Sequence, residues 1–204
     1  EVRVMTIDKD NLLESILESI GRIDYVRPEK IPDIDLYMNQ VTTFMEDQFR
    51  GTRRYPEDKV LTKTMINNYA KNNLLPPPVK KKYSKEHMLV LIFIFYFKSL
   101  LSIRDIETLF RPLTDKYFDT DGDITLTGIY EEVCRLEKGR IGDVQESIRA
   151  MYEQAEQTWK DAPEEEQEYL RLFSFICSLS FDVYVKKQLI EKLIDTLPEP
   201  EKKK

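Results

Sequence analysis

Glycine is scarce in this 204-residue chain, with six residues against eleven tyrosines and ten phenylalanines. With few flexible breaks and little period-two alternation of β-branched residues, the pattern points to helices. One histidine and two cysteines leave little material for catalysis or metal binding. Cys134 and Cys177 are far apart, each inside an apolar helical pattern. Free, buried thiols in a reducing cytoplasm are therefore expected, with neither a disulfide nor a metal pair. No phosphate-binding loop, dinucleotide glycine motif, Ser/His/Asp set or paired-cysteine site is present. The expectation is a protein that is not an enzyme and carries no cofactor. The longest apolar run, Met88 to Phe97, has ten residues. That is about half of the ~20 a spanning helix needs, so it reads as core. No charged-then-apolar leader opens the sequence, which agrees with a cytoplasmic location.

What is present is uneven charge. The net value is −6, yet Arg50 to Val90 holds ten Lys/Arg against three acids, a local balance of +7 that leaves −13 for the remainder. An acidic protein with one basic island suits contact between that island and a polyanion, although a solvated charged face remains the alternative.

A first helix is expected from Asp8 or Asp10, with Leu12, Leu13, Ile16, Leu17 and Ile20 on one face and Gly21 as its stop. A second should run from a cap at Asp33 to about Phe49, followed by a basic turn containing Arg53 and Arg54. Thr62 is the expected N-cap of a third. Its inward residues are Met65, Ile66 and Tyr69, which leaves Lys63, Thr64, Asn67, Asn68 and Lys71 outside. Amide and cationic donors of that kind can bond to phosphates and to purine edges in a major groove. Asn72-Asn73 ends this helix, and Pro76-Pro77-Pro78 forbids continuation. Lys80, Lys81, Lys82 and Tyr83 then form a short extended lysine loop suited to phosphate contact, or simply to solvent.

Ser84 should cap an apolar helix from Lys85 to Ser99, with His87 making a polar contact in its first turn. Ser102 and Asp105 form a capping-box-like pair opening Ile103 to Arg111, which stops before Pro112. Asp119, Asp121 and Asp123 alternate as in a calcium loop, but the glycine and glutamate positions disagree, so an exposed acidic turn is expected. A helix from Thr127 to Lys138 should break at Gly139 and Gly142. Three further helices, opening near Asp143, Pro163 and Asp182, suggest an antiparallel bundle. Its aromatics (Tyr152, Trp159, Phe173, Phe175, Phe181, Tyr184) could form a core, a pocket or a dimer seam.

Thr62, Ile66, Tyr69, Leu74-Leu75, Pro77, Tyr83-Ser84, Glu86-His87 and Leu101-Ser102-Ile103-Asp105-Ile106-Leu109 follow one another as in the DNA-binding domain of MerR-type regulators. The chain resembles that domain over roughly Pro32 to Arg111. The stretches TKTMINNYAKNNLLPPP and IPDIDLYMNQVTTFM also resemble an uncharacterised bacterial family, a domain of unknown function. The MerR-like resemblance implies a winged helix-turn-helix, with Lys63, Thr64, Asn67, Asn68 and Lys71 facing the groove and Lys80 to Lys82 on a wing. The sequence departs from that pattern where Asn67-Asn68-Tyr69 stands in place of Arg-Tyr-Tyr, losing a phosphate-binding arginine. A C-terminal cysteine metal loop is also missing, so metal or thiol sensing is not expected.

The resulting expectation is a mainly α chain: a helical arm (1–30), a winged helix-turn-helix (31–112) and a C-terminal helical domain (113–204). Its expected role is DNA-binding transcriptional regulation. The contact residues would be Arg53, Arg54, Lys63, Thr64, Asn67, Asn68, Lys71, Lys80, Lys81, Lys82 and Tyr83. Partners would be double-stranded DNA, a second copy of the chain, and a small-molecule effector in the C-terminal half. A helical protein-interaction adaptor whose winged module no longer binds DNA stays open as the alternative.

Overall fold

Helix-forming periodicity dominates the computed structural model, which describes residues 9–21 and 26–198. The chain is mainly α. Its helices are α1 (Lys9–Gly21), α2 (Met38–Phe49), α3 (Lys63–Lys71), α4 (Lys85–Phe97), α5 (Ile103–Tyr117), α6 (Leu126–Glu156) and α7 (Glu164–Ile194). Two short strands, β1 (Leu36–Tyr37) and β2 (Lys82–Tyr83), pair antiparallel, with Leu36 opposite Tyr83 and Tyr37 opposite Lys82. Asp8, one of the two expected caps of α1, and Glu199 to Lys204 lie outside the described residues.

One compact unit is built from Val26–Val133 with the end of α7. The centre of this unit is α4, where eight consecutive residues, His87 to Ile94, are buried. A helix apolar on every side must be enclosed, and α4 is. Around it lie Val41, Met45 and Phe49 of α2, Ile66 and Tyr69 of α3, Ile106 and Phe110 of α5, and Tyr130 of α6, all buried. The Tyr130 hydroxyl donates to the Val26 carbonyl at 2.7 Å, satisfying its one polar group in the core.

The second unit comprises α1, α6 from Cys134 and α7 to Val185. Tyr152 meets Phe175 edge-on at 5.3 Å, and further up α6 Glu156 approaches Arg171 at 3.9 Å. As one number rises the other falls, so α6 and α7 form an antiparallel hairpin. Gln145 donates to the Leu17 carbonyl at 2.8 Å, and Arg149 makes a bidentate pair with Glu14, both bonds 2.9 Å, which fastens α1 to α6.

Four helix boundaries differ from the sequence expectation. Asp33 does not start α2. The chain first makes β1, and the Gln40 side chain accepts from the Tyr37 amide at 2.8 Å, so the helix opens at Met38. Asp33 binds Lys85 at 2.8 Å instead. Pro112 does not end α5, which continues to Tyr117. The missing proline amide leaves the Thr108 carbonyl without its helical donor, at about 3 kcal/mol for an interior proline. Phe110 offsets this by packing between Phe93 and Phe97, with both ring centroids 5.7 Å away. Gly139 and Gly142 do not break α6, and neither has a positive φ. Asp182 lies inside α7, so two helices of 31 residues replace the series of shorter ones expected.

Neither cysteine forms a disulfide, but Cys177 is exposed and Cys134 half-buried, contrary to the expectation of burial. Among the described residues no helix is long and apolar enough to cross a membrane.

Candidate functional site

The basic island is organised by α3 and the loop behind it. Thr62 caps α3 as its spacing predicts, its hydroxyl accepting from the Met65 amide at 3.2 Å. Ile66 and Tyr69 are buried, which turns Lys63, Thr64, Asn67, Asn68 and Lys71 to solvent, all five exposed. The helix ends in a Schellman motif. Asn73 takes a left-handed φ of 56°, its amide donates to the Ala70 carbonyl at 3.3 Å, and the Leu74 amide donates to the Tyr69 carbonyl at 2.9 Å. Leu74 and Leu75 are thereby driven into the core.

After the proline run the chain makes a two-residue hairpin. The Val79 amide donates to the Lys82 carbonyl at 3.1 Å, and the Lys82 amide returns a bond to the Val79 carbonyl at 2.9 Å. Between them Lys80 and Lys81 have φ of 50° and 65°. Two consecutive positive φ values are the requirement of a type I′ turn, normally filled by Asn-Gly. An L-residue in the left-handed region costs roughly 1–2 kcal/mol, so two lysines are an expensive choice here. Both are exposed. Lys82 leans back over the Tyr37 ring, 5.3 Å from its centroid, across the β1–β2 pair. Tyr83, grouped with the contact residues on sequence grounds, is buried and points inward. Its ring stands edge-on to His87 at 5.5 Å, so it braces the hairpin from beneath. Helix α2 touches both α3 and β2, giving the two elements a common support.

His87 is the buried polar residue beneath this loop. Its Nδ1 accepts from the Ser84 amide at 3.0 Å, closing a capping box in which histidine replaces the usual glutamate. That contact leaves the proton on Nε2, which lies 3.4 Å from the Pro77 carbonyl. The imidazole thus ties the α4 cap to the proline turn, with Phe118 edge-on at 4.7 Å. Burial holds its pKa below the ordinary histidine value, partly countered by the Pro77 and Pro76 carbonyls and by Asp35 and Asp119. Neighbouring Glu86 is shifted the other way by burial, although its carboxylate accepts from the Asp119 amide. The signal for His87's cap was readable as Ser-x-x-His; its reach to Pro77 was not.

Packing divides the cations. Arg53 is paired with Glu46, Arg50 with Asp47 at 3.2 Å and Lys85 with Asp33 at 2.8 Å. Arg54 lies over the Tyr55 ring at 5.3 Å. Lys63, Lys71, Lys80 and Lys81 are held in no ion pair with the described residues. Lys98, unremarked in the sequence, donates to the Val60 carbonyl and lies over Phe95 at 4.9 Å, pinning the link before α3 to α4.

Elsewhere, the acidic turn at Asp119 to Asp123 is exposed, and no group of three metal-ligating side chains occurs among the described residues. A cleft of about 210 Å³ in the other unit is lined by Leu13, Glu14, Arg149, Tyr152 and Glu153. Its one cation, Arg149, is already bonded to Glu14.

A family model described as a domain of unknown function (DUF1836) matches residues 26–133. That span coincides with the Val26–Val133 portion of the unit built around α4, and it contains every residue of the candidate site. No curated protein and no solved structure matched the chain.

Proposed function

The chain belongs to this family of uncharacterised domains, and on that premise we propose that it is a double-stranded-DNA-binding regulator of the MerR-like winged helix-turn-helix type. The order of elements supports the reading. Strand β1, helices α2 and α3, the Val79–Lys82 hairpin and strand β2 follow one another as strand, helix, helix and wing. In this reading α3 enters the major groove, and the hairpin tip meets the phosphate backbone.

The observation that carries the proposal is the left-handed Lys80-Lys81 turn. Strained conformations are retained where the surroundings and the function hold them. Here the strain holds two exposed ammonium groups, in no ion pair with the described residues, at the tip of a hairpin. Lys63 and Lys71 add two more exposed charges on α3, and the exposed amides of Asn67 and Asn68 supply donors and acceptors for base edges.

The test is a titration of a labelled duplex across a range of salt. Four phosphate contacts predict that log K falls with log salt at a slope of about −3.6. Replacing Asn67 and Asn68 by Ala should leave that slope in place while erasing preference for a site selected from a random duplex library. A salt-independent or undetectable interaction would sink the proposal. It would favour a protein-interaction adaptor, for which the neutralised Arg53–Glu46 and Lys85–Asp33 pairs already speak.

A further inference from the structure

Pro77 and Ser84 face each other across the base of the lysine hairpin. Val79 and Lys82 exchange both of their backbone bonds. In an antiparallel pair such positions alternate with unbonded ones, so the next pair due to bond is Pro77 with Ser84. Proline has no amide to give, which leaves one possible bond there, from the Ser84 amide to the Pro77 carbonyl. A side chain stands in for that bond. The Ser84 amide donates to Nδ1 of His87 at 3.0 Å, and Nε2 of the same ring lies 3.4 Å from the Pro77 carbonyl. One imidazole thus carries the ladder across the hairpin base, accepting at one edge and donating at the other.

The neutral ring with its proton on Nε2 can do both, because imidazolium has two donors and no acceptor. We infer that His87 is a protonation-sensitive clasp: a proton taken up at Nδ1 sets donor against donor at the Ser84 amide, opens the hairpin between Pro77 and Ser84, and releases the Lys80-Lys81 turn. The proposal concerns the hairpin itself and stands whether or not its tip meets DNA.

The surroundings of the ring support a switch. Being 2% exposed, the closed ring leaves no room for water to replace a lost partner. Tyr83 of β2 and Phe118 after α5 stand edge-on to it at 5.5 and 4.7 Å. Burial pushes the Tyr83 hydroxyl up from its ordinary range, so it stays neutral. Asp35 ahead of β1 and Asp119 after α5 favour the cation, and the proline turn adds the Pro76 and Pro77 carbonyls. On α4 itself, Glu86 is turned to the Asp119 amide and Lys85 to Asp33. The Ser84 hydroxyl, 2.8 Å from Nδ1, can rotate to accept the new proton. The ring therefore has a partner in either protonation state, whereas the Ser84 amide loses its acceptor in the charged one.

The direction of the switch follows from burial, which holds the closed ring below the ordinary histidine value. An opened hairpin returns the ring to water, so the open form binds the proton more readily and acid favours it. Backbone strain acts the same way, because the left-handed φ values of Lys80 and Lys81 can relax once the base parts.

Solution NMR of the full chain tests this directly. With one histidine in the sequence, long-range proton–nitrogen spectra report this ring alone. At about pH 8 the proton should sit on Nε2. Below about pH 6.5, one-proton linkage predicts that exchange protection of the Val79, Lys82 and Ser84 amides falls up to tenfold per pH unit. The α4 core amides should stay far better protected throughout. His87→Gln keeps an acceptor at the cap but cannot titrate, so in that variant the fall should vanish. A ring protonated on Nδ1 in the alkaline spectrum, or hairpin protection indifferent to the titration of His87, would overturn the proposal. So would hairpin amides as well protected as the α4 core, or the same fall in the glutamine variant.

Discussion

Replacing Lys80 by Asn and Lys81 by Gly separates what the hairpin tip does for folding from what it does for binding. Both lysines hold left-handed φ values that the type I′ turn demands. Each costs roughly 1–2 kcal/mol relative to a residue at ease there. Asn tolerates the region and Gly is free in it, although Gly also loses about 0.5–1 kcal/mol through the entropy of the unfolded chain. The net gain should be about 1 kcal/mol, or a rise of roughly 2–4 °C in Tm for a chain of this size. The same change removes two exposed charges. If both touch phosphates, the salt slope should shrink by about 1.8, which at 0.15 M salt corresponds to roughly 30-fold weaker binding. A thermal melt followed by circular dichroism reads the first effect, and anisotropy of a labelled duplex reads the second. Stability must rise while affinity falls. A lower Tm would refute the strain argument, and an unchanged salt slope would remove the hairpin from the interface.

Gly139→Ala and Gly142→Ala should each stabilise α6 by about 0.5–1 kcal/mol, because glycine is a poor interior helix residue. A Cβ at either position meets open space, so a denaturant melt that showed destabilisation would contradict the continuous helix. His87 predicts a pH dependence. Its folded pKa lies below the ~6.5 of the unfolded chain, so the unfolded state takes up the proton first. Its contribution is complete above about pH 6.5 and is lost as pH falls through the folded value. Glu86, whose pKa is raised, acts with the opposite sign: its contribution is present at low pH and lost as pH rises through its folded value. His87→Gln keeps an acceptor for the Ser84 amide and should flatten the loss of stability below pH 6.5. An identical pH profile for wild type and variant would rule out His87 as its source.

Local chemistry was legible in the sequence, and chemistry at a distance was not. The caps at Thr62, Ser84 and Ser102 depend on hydrogen bonds within three residues, and all three form where their spacing indicates. The outward face of α3 follows from two buried residues one turn apart, Ile66 and Tyr69. Pro112, Gly139, Gly142 and Asp182 misled because each is a genuine local cost that packing outweighs. Phe110 anchors α5 on the same turn as Pro112, and Arg149 and Gln145 bind α1 just beyond Gly142. The β1–β2 pair had no readable pattern, since two residues cannot show an alternation and their partners, Tyr83 for Leu36 and Lys82 for Tyr37, lie far along the chain. The hairpin at Lys80-Lys81 was hidden for another reason: it lacks the Asn-Gly signature that would announce it.

The same limit applies to the charge island, and it bears on how strongly the site could hold DNA. A local balance of +7 counts every cation equally. Folding commits Arg53, Arg50 and Lys85 to carboxylates, and leaves Lys63, Lys71, Lys80 and Lys81 in no ion pair with the described residues. Four phosphate contacts per chain belong to the range of weak, non-specific binding, about 10⁻⁴–10⁻⁶ M at physiological salt. Site-specific regulators hold their sites at roughly 10⁻⁸–10⁻¹¹ M. Two copies on one duplex would present twice the contacts, doubling the salt slope to about −7. A slope near −3.6 for dimeric protein would mean that only one copy reaches the DNA at a time. The salt slope, read beside the mass of the protein–duplex complex in sedimentation, therefore measures how many copies of the proposed site engage one duplex.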